Sequence, residues 1–404
     1  MDRDPGGSLK SLRRNNQERL LGLLLTHGPI HRAGLARRAD LSRTTVSTII
    51  TDLMARGLVV ESDEGSEITD RDGRAREMLA VNPTAAVVAG LDFTLTAVWA
   101  HISDLARREI ASGEVAVDPA LGPSDRIDIG ISLLDSLLDK HGLERNRVIG
   151  AGIGVPGPID QATGVVGVSL PGQPFSHVHA AEEFNSRLGL PVFIENNTRL
   201  EAVAEARWGA GKGVENLLYF GLSSGIGSGL ILDGRLYRGA IGAAGELGHV
   251  SVNIDGPACP CGNRGCLVGY AGIPAVLAAL RPALGDDITI DGVLAATAAG
   301  DRACQGVFAD VGNVVGRLLA NLCNLLNPER IVVGGELSRA GDALLAPMRD
   351  SIQRYALSLV RDVEVVPAAL DLGGRAGAVG GAALVLSETP YLARALDRLA
   401  GARG

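Results

Sequence analysis

The sequence predicts a winged helix-turn-helix domain followed by a larger α/β body with two lobes around a cleft. Two patterns lead to this fold class: short polar helices separated by a tight turn near the N-terminus, and strands that alternate with helices beyond Asn82-Pro83. Alternation of this kind is typical of layered α/β folds. We place the domains at residues 1–82 and 83–404, and a chain of 404 residues is long enough for both.

The first domain begins with a helix expected over residues 15–27, which ends at Gly28-Pro29. A second helix is predicted from His31 to Ala39. Ser42 is a favourable N-cap for a third helix that ends at Gly57. Strands near 58–60 and 78–81, joined by a charged loop, complete a winged arrangement. The residues of the third helix predicted to face inward, by their helical spacing, are Val46, Ile49, Ile50 and Leu53.

The outward face of the third helix carries small polar residues and one arginine, a pattern typical of a helix that enters the major groove of DNA. The predicted DNA-contacting residues are Ser42, Arg43, Thr44, Thr45, Ser47 and Thr48, with Arg71, Arg74 and Arg76 on the wing. Residues 1–60 carry a net charge of +5 although the whole chain carries −8, so a basic end precedes an acidic body. The alternative is a three-helix bundle that binds no DNA.

Composition argues against several other classes of protein. No apolar run reaches membrane-spanning length, and the N-terminus lacks the apolar core of a signal peptide. Three of the five cysteines are clustered, which fits a reducing compartment better than a disulfide framework. We therefore expect a cytoplasmic protein with no membrane partner.

The body shows apolar strands separated by helical segments. The predicted strands are 87–91, 96–102, 148–155, 192–194, 217–222, 230–232 and 331–333. The predicted helices are 127–138, the segment from 195 through Trp208, 306–326 and 373–386. Strands 217–222 and 230–232 flank a glycine-rich turn, which predicts a hairpin there.

One His and three Cys follow that turn and form a complete tetrahedral ligand set: His249, Cys259, Cys261 and Cys266. Closed sites of this type usually hold a structural zinc ion, because no position stays open for water. Glycines at 262 and 265 permit the tight turns that a knuckle needs. We expect one Zn²⁺ per chain; the alternative is unligated thiols beside a surface histidine. Cys304 and Cys323 lie in apolar helical surroundings and are predicted core residues.

Several segments in this order resemble the ROK family of sugar kinases and sugar-responsive repressors, which share an actin-like, ribonuclease-H-like fold of two lobes. The segments that carry the resemblance are Gly152–Asp160 (Gly-Ile-Gly-Val-Pro-Gly-Pro-Ile-Asp), Leu188–Val192 (Leu-Gly-Leu-Pro-Val), Glu195-Asn196-Asn197, Gly225–Gly229 (Gly-Ile-Gly-Ser-Gly), Ala244–His249 (Ala-Gly-Glu-Leu-Gly-His) and the cysteine knuckle. A winged helix before such a body resembles the repressor branch of the family.

The resemblance also implies what a kinase of this family needs. The catalytic base is the Asp of a Glu-Asn-Asp pattern, but this chain has Asn197 there, and an amide cannot act as a base near neutral pH. The first phosphate loop should read Gly-Ile-Asp-x-Gly-Gly-Thr, whereas residues 90–96 read Gly-Leu-Asp-Phe-Thr-Leu-Thr. We expect Phe93, Thr94 and Leu95 to crowd that loop. The second phosphate turn is retained at 224–229, and we predict no enzymatic activity.

Sugar recognition is a separate expectation from the same resemblance. The effector-binding positions it implies are Asn196, Asn197, Glu246 and His249, but Val268 stands where the family has a further Glu. The alternatives are an N-cap role for the two asparagines and a cleft that is retained only as a scaffold.

The sequence thus predicts a DNA-binding repressor of carbohydrate-utilisation genes, modulated by a sugar and acting as a homodimer or higher oligomer on paired half-sites. A sugar kinase with a DNA-binding appendage and a ligand-independent DNA-binding protein are the two alternatives.

Overall fold

The computed structural model describes residues 5–63, 77–167, 173–370 and 375–401. Its helices are α1 (Pro5–His27), α2 (Arg32–Ala39), α3 (Arg43–Ala55), α4 (Pro123–Lys140), α5 (Ala180–Leu188), α6 (Asn197–Trp208), α7 (Val268–Ala271), α8 (Ile273–Leu284), α9 (Ile290–Ala298), α10 (Arg302–Leu326), α11 (Asp342–Tyr355), α12 (Ala376–Ser387) and α13 (Thr389–Gly401). Its strands are β1 (Ile30–His31), β2 (Val59–Ser62), β3 (Met78–Val81), β4 (Val87–Phe93), β5 (Ala97–Asp104), β6 (Glu109–Ala116), β7 (Val148–Val155), β8 (Val192–Asn196), β9 (Leu217–Leu222), β10 (Ile226–Leu232), β11 (Arg235–Tyr237), β12 (Arg330–Gly334) and β13 (Glu364–Pro367).

The N-terminal domain is the predicted winged helix. Its antiparallel sheet has the order β1-β3-β2, beside α1, α2 and α3. The inward residues predicted on α3 are all buried. Helix α1 differs from the prediction because it starts at Pro5, ten residues earlier than expected. Proline is well accommodated in the first turn of a helix, where its missing N–H removes no internal hydrogen bond.

The body contains two sheets with the same topology. The first has the order β6-β5-β4-β7-β8 and the second the order β11-β10-β9-β12-β13. In each sheet the first three strands in the chain are antiparallel neighbours, and the last two pair in parallel. Each sheet has its own apolar core, so the predicted two-lobe α/β body is confirmed.

Two helices cross between the lobes. Helix α6 follows the last strand of the first sheet yet packs on β9 and β10 of the second, whereas α12 follows the second sheet and packs on β4 and β7 of the first. Close approach requires glycine at these crossings: a Cβ on Gly90 would lie 1.8 Å from the carbonyl oxygen of Ala378, and one on Gly380 would lie 1.9 Å from that of Leu200. The lobes are therefore joined by the backbones of these two helices.

The C-terminal helix α13 returns to the N-terminal domain and packs against α1. Leu20, Leu21 and Leu24 of α1 share one buried cluster with Leu392 and Leu396 of α13. The winged domain and the body thus have a common apolar core rather than a bare linker. No helix within the described residues combines the length and apolar character needed to span a membrane.

Candidate functional site

The N-terminal turn of α3 presents the residues predicted to contact DNA. Ser42 caps the helix, because its Oγ accepts a hydrogen bond from the backbone N–H of Thr45 at 3.0 Å and lies 2.8 Å from the Thr45 hydroxyl. The Thr48 hydroxyl donates to the carbonyl oxygen of Thr44 at 3.0 Å. Ser42, Thr45 and Thr48 therefore use their hydroxyls to build the helix. Arg43, Thr44 and Ser47 are exposed on the same surface.

The wing is only partly described. Its strands β2 and β3 pair in antiparallel register from Val59–Val81 to Ser62–Met78, as the sequence predicts. Arg71, Arg74 and Arg76, the arginines predicted to contact DNA from the wing, lie outside the described residues.

The four predicted metal ligands lie together. The ligand atoms of His249, Cys259, Cys261 and Cys266 are all within 4.8 Å of one another. His249 Nδ1 lies 3.7 Å from Cys259 Sγ, and Cys261 Sγ lies 3.7 Å from Cys266 Sγ. Two sulfurs bound at about 2.3 Å to one tetrahedral ion lie roughly 3.8 Å apart, so this donor set fits a single ion of that geometry.

Two glycines shape the cysteine knuckle. Gly262 and Gly265 have φ angles of +92° and +62°, and a Cβ on Gly265 would lie 1.7 Å from the carbonyl oxygen of Asn253. The knuckle also buries Cys266, and this burial, with its neighbouring thiols, raises the pKa of Cys266 to about 12. A bound divalent cation would reverse that preference, because a coordinating thiol is deprotonated.

The two predicted effector asparagines begin helix α6. Asn196 is its N-cap: its Oδ1 accepts from the N–H of Arg199 at 3.2 Å, and its Nδ2 donates to the carbonyl oxygen of Gly157 at 3.1 Å. Asn197 Oδ1 accepts from the N–H of Thr198 at 2.9 Å. The N-cap alternative is thus correct for Asn196. It is not the role of Asn197, which is the first residue of the helix.

Glu246 and His249 lie on a loop that faces the start of α6. Glu246 is one-third exposed, and its Oε1 lies 3.8 Å from Nη2 of Arg199. Burial raises the pKa of Glu246, and the positive charges of Arg199 and His249 oppose that rise. The loop therefore places a half-buried carboxyl group between a buried arginine and the metal-ligand cluster.

The first hairpin, between β4 and β5, differs from the predicted crowded loop. Phe93 is fully buried in the first lobe, with its ring 5.5 Å from that of Phe175 and 5.1 Å from that of Phe184. The prediction that Phe93 crowds the loop is wrong, because strand alternation turns its ring into the core. Leu95 is half-exposed at the tip, where the carbonyl oxygens of Thr94 and Leu95 accept hydrogen bonds from Arg126.

Carboxyl groups lie between this hairpin and the second one. Asp92, 1% exposed, has no hydrogen-bond partner for Oδ1 within the described residues, and burial together with the Glu201 carboxylate raises its pKa well above the usual range. Burial also raises the pKa of Glu201 to about 7, although Tyr219 donates a hydrogen bond to it at 2.9 Å. Glu336 adds to that rise. Burial and mutual repulsion therefore favour the neutral form of these carboxyl groups.

Two residues that organise the site, Arg126 and Arg199, were not singled out from the sequence, and Glu195 was named only as part of the Glu195-Asn196-Asn197 segment. Glu195 is fully buried and pairs with Arg199 at 3.1 Å and with Arg238 at 2.6 Å. Arg126 is fully buried behind the first hairpin. For Glu195 the available signal was its position directly after the apolar run 192–194, since a charged residue is buried only when paired. Arg126 lies in a polar segment and gave no such signal.

Comparisons with known proteins agree with this geometry. Residues 89–388 match the ROK family, and residues 14–75 match the MarR family. The chain therefore belongs to the ROK family, and the resemblance found in the sequence is confirmed.

Individual relatives include both regulators and enzymes. The chain is 28% identical to the xylose repressor of Caldicellulosiruptor bescii over 95% of this chain and 98% of that protein. It is 34% identical to a glucokinase of Halalkalibacterium halodurans over 63% of this chain and 81% of the enzyme. A crystal structure of a ROK family transcriptional regulator, a homologue of the Mlc protein of E. coli, has a TM-score of 0.81, with 24% identity over 96% of this chain and 99% of that one.

Proposed function

We propose that this chain is a cytoplasmic transcriptional repressor that binds operator DNA as a homodimer or higher oligomer and responds to a carbohydrate. The observation that carries the proposal is the shared core of the winged domain and the body, formed by α1 and α13. A ligand that changes the body can act on the reading helix through that core. Similarity to repressors along nearly the whole chain supports the same function.

In this proposal α3 enters the major groove. Arg43 is the residue that reads a base edge, with Thr44 and Ser47 beside it, because the hydroxyls of Ser42, Thr45 and Thr48 already bond within the helix. Arg71 and Arg74 of the wing reach phosphates or the minor groove. The carbohydrate is bound by Asn197, Glu246 and His249, and Asn196 orients that group as the N-cap of α6.

The test combines one substitution with a sugar panel. Arg43→Ala should weaken binding to the cognate operator by about 1–3 kcal/mol and relax the preference at one base pair. Selection of binding sites from a random DNA pool with each protein, followed by titration, measures both effects. The matched control is Arg19→Ala, an exposed arginine on α1. If Arg43→Ala keeps the operator affinity and the base preference of the wild type, the start of α3 does not contact the bases as proposed.

The cysteine cluster is proposed to hold one structural zinc ion. The ion would fix His249 through Nδ1 and so set the position of Glu246, three residues earlier. Purified protein should contain about one zinc per chain, and Cys261→Ser should lower both zinc content and the response to sugar. Cys304→Ser, a buried cysteine outside the cluster, is the control for the loss of a thiol. A zinc-free protein of normal stability and response would contradict this proposal.

A sugar kinase is the second candidate, favoured by the similarity to glucokinases. Asn197 at the base position and the first hairpin, which lacks the glycines of the family's phosphate loop and is held by Arg126, oppose it. Loss of a positioned general base typically removes about 10²–10⁴-fold of rate. We expect no ATP-dependent phosphorylation of glucose, xylose or N-acetylglucosamine by the protein or by Asn197→Asp. A coupled assay for ADP release decides this, and robust turnover would favour the enzyme.

Ligand-independent DNA binding is the remaining alternative. Val268 supports it, because its side chain packs against the apolar core of the second lobe instead of offering a carboxylate. If no sugar or sugar phosphate of a broad panel alters operator affinity, this alternative replaces the sugar-responsive repressor.

A further inference from the structure

Arg199, on the first turn of α6, is almost completely buried, with its side chain 1% exposed. Its Nη1 donates to the carbonyl oxygen of Gly242 at 2.8 Å and to Glu195 Oε1 at 3.1 Å. Its Nε and Nη2 both donate to the carbonyl oxygen of Ala244, at 3.1 and 2.6 Å. The planar guanidinium thus bonds β8 and a distant loop to one helix, which a lysine with its single ammonium group could not reproduce.

The loop that Arg199 holds is residues 239–246, which we call the effector loop. Gly239, Gly242 and Gly245 all have positive φ angles, so the segment adopts a conformation that few other residues would accept. A chain rich in glycine loses much conformational entropy when it becomes ordered, and the hydrogen bonds from Arg199 offset part of that loss. The loop leads directly into Glu246 and the short turn Leu247–His249.

The other end of α6 reaches the DNA-binding domain. Trp208, the last residue of the helix, packs against the apolar cluster that α1 and α13 share, and also against the cluster of β9 and β12. Trp208 follows Arg199 by nine positions along α6, an axial rise of about 14 Å. One helix therefore contacts the effector loop at its start and, at its end, the apolar cluster that joins the body to the winged domain.

We propose that Arg199 is a positioning residue that couples the effector loop to α6, and that α6 transmits the state of the loop to the winged domain through Trp208. The inference rests on the proposed function, since it assumes that Glu246 and His249 meet the sugar. It adds the route by which that contact changes operator affinity.

The first experiment needs no sugar. Amide hydrogen exchange of residues 244–250 is measured in the full-length, zinc-loaded protein, in Arg199→Gln and in Arg199→Lys. Arg235→Gln, an exposed arginine on β11, is the control. We expect exchange in the loop to be at least about tenfold faster in Arg199→Gln, intermediate in Arg199→Lys and unchanged in the control. The fluorescence emission of Trp208 is measured in the same proteins, each carrying Trp99→Phe so that Trp208 is the remaining tryptophan. It should change most in Arg199→Gln, less in Arg199→Lys and not in the control.

The second experiment measures operator affinity with and without D-xylose and with and without D-glucose. For a sugar that acts on the wild-type protein, we expect a change of roughly 5–150-fold in Kd. In Arg199→Gln the sugar-dependent change in Kd should fall below about twofold, whatever its operator affinity without sugar. The sugar-dependent change in Arg199→Lys should lie between those of the wild type and Arg199→Gln.

The two experiments distinguish a positioning role of Arg199 from a purely structural role. A purely structural Arg199 would lower the melting temperature in both variants and leave loop exchange and the sugar-dependent ratio at their wild-type values; that result would overturn the inference. If Arg199→Gln does not fold, Arg199→Lys, which keeps the buried charge, decides in the same way. If neither sugar changes the operator affinity of the wild-type protein, the proposed control by D-xylose or D-glucose is wrong. The role of Arg199 is still tested in that case, because loop exchange at the wild-type rate in Arg199→Lys would refute it.

Discussion

The two lobes contain equivalent hairpins, and the hairpins are built in opposite ways. The first, between β4 and β5, has Thr94-Leu95-Thr96 at its tip, and Arg126 donates from behind to its carbonyl oxygens. The second, between β9 and β10, has Ser223-Ser224-Gly225, and a Cβ on Gly225 would meet no atom within 4 Å. One topology therefore supports a closed turn in the first lobe and an open turn in the second.

The difference shows that a shared fold does not preserve a shared site. A hairpin that binds phosphate must offer free backbone N–H groups and room for close approach. In the first hairpin the N–H of Thr94 bonds to the carbonyl oxygen of Ala97, and the N–H of Ala97 bonds to the Thr94 hydroxyl. In the second hairpin the N–H of Ser223 bonds to the carbonyl oxygen of Gly225, so the two turns differ in the arginine behind the first tip and in the space at the second.

The largest expected loss of stability comes from replacing Arg126, whose hydrogen bonds hold the first hairpin. Arg126 also donates to the carbonyl oxygens of Leu121, Asp118 and Pro119, so Arg126→Met would remove the donor from five partly buried carbonyl oxygens. We expect a loss of about 3 kcal/mol in the free energy of unfolding, measured by urea denaturation.

Arg145→Met is the matched control for that variant. Nη1 of Arg145 donates to both carboxylate oxygens of Asp135 at 2.8 Å, but both side chains are more than one-third exposed. An exposed pair contributes at most about 1 kcal/mol. If the two variants lose the same stability, the buried guanidinium does not hold the first hairpin as described.

The second-largest expected effect is a pH dependence of stability, caused by the buried carboxyl group of Glu201. Because burial raises the pKa of Glu201 to about 7, the folded protein binds a proton there that the unfolded chain has already lost. Stability should therefore fall as pH rises from about 4.5 to about 7 and level off above that range. Glu201→Gln should reduce this slope, leaving the part that Asp92 contributes, and raise stability at pH 8 by roughly 2 kcal/mol, with little change at pH 4.5.

Urea denaturation at several pH values between 4.5 and 8 measures the slope. Glu114→Gln, at an exposed position on β6, changes the same charge on the surface and should keep the wild-type slope. A wild-type slope in Glu201→Gln would mean that other groups titrate in this window. Asp92, whose pKa burial also raises, would then be the first group to replace.

Features that depend on neighbouring residues could be predicted from the sequence, whereas the long-range hydrogen bonds that hold the first hairpin could not. Strands β7 and β9 were predicted with their observed bounds, and the Ser42 cap and the cysteine cluster followed from short-range spacing. The closure by Arg126 was not predicted, because the turn lies more than 30 residues earlier in the chain. The contact between Arg199 and Gly242 spans 43 residues and was missed for the same reason. Long-range hydrogen bonds of one arginine leave no periodic signal in a sequence.

The smallest expected effect tests the open tip of the second hairpin. Gly225 has no positive φ angle, and the space that a Cβ would occupy there is free, so Gly225→Ala should change the free energy of unfolding by less than about 0.5 kcal/mol. Gly227 lies two residues further along, on β10, where a Cβ would approach the Thr198 hydroxyl to 2.4 Å, and Gly227→Ala should cost about 1–3 kcal/mol. Thermal and urea denaturation of both variants measure the contrast. A loss above about 1 kcal/mol in Gly225→Ala would show that the second tip is packed as closely as the first, and the distinction between a closed and an open hairpin would no longer hold.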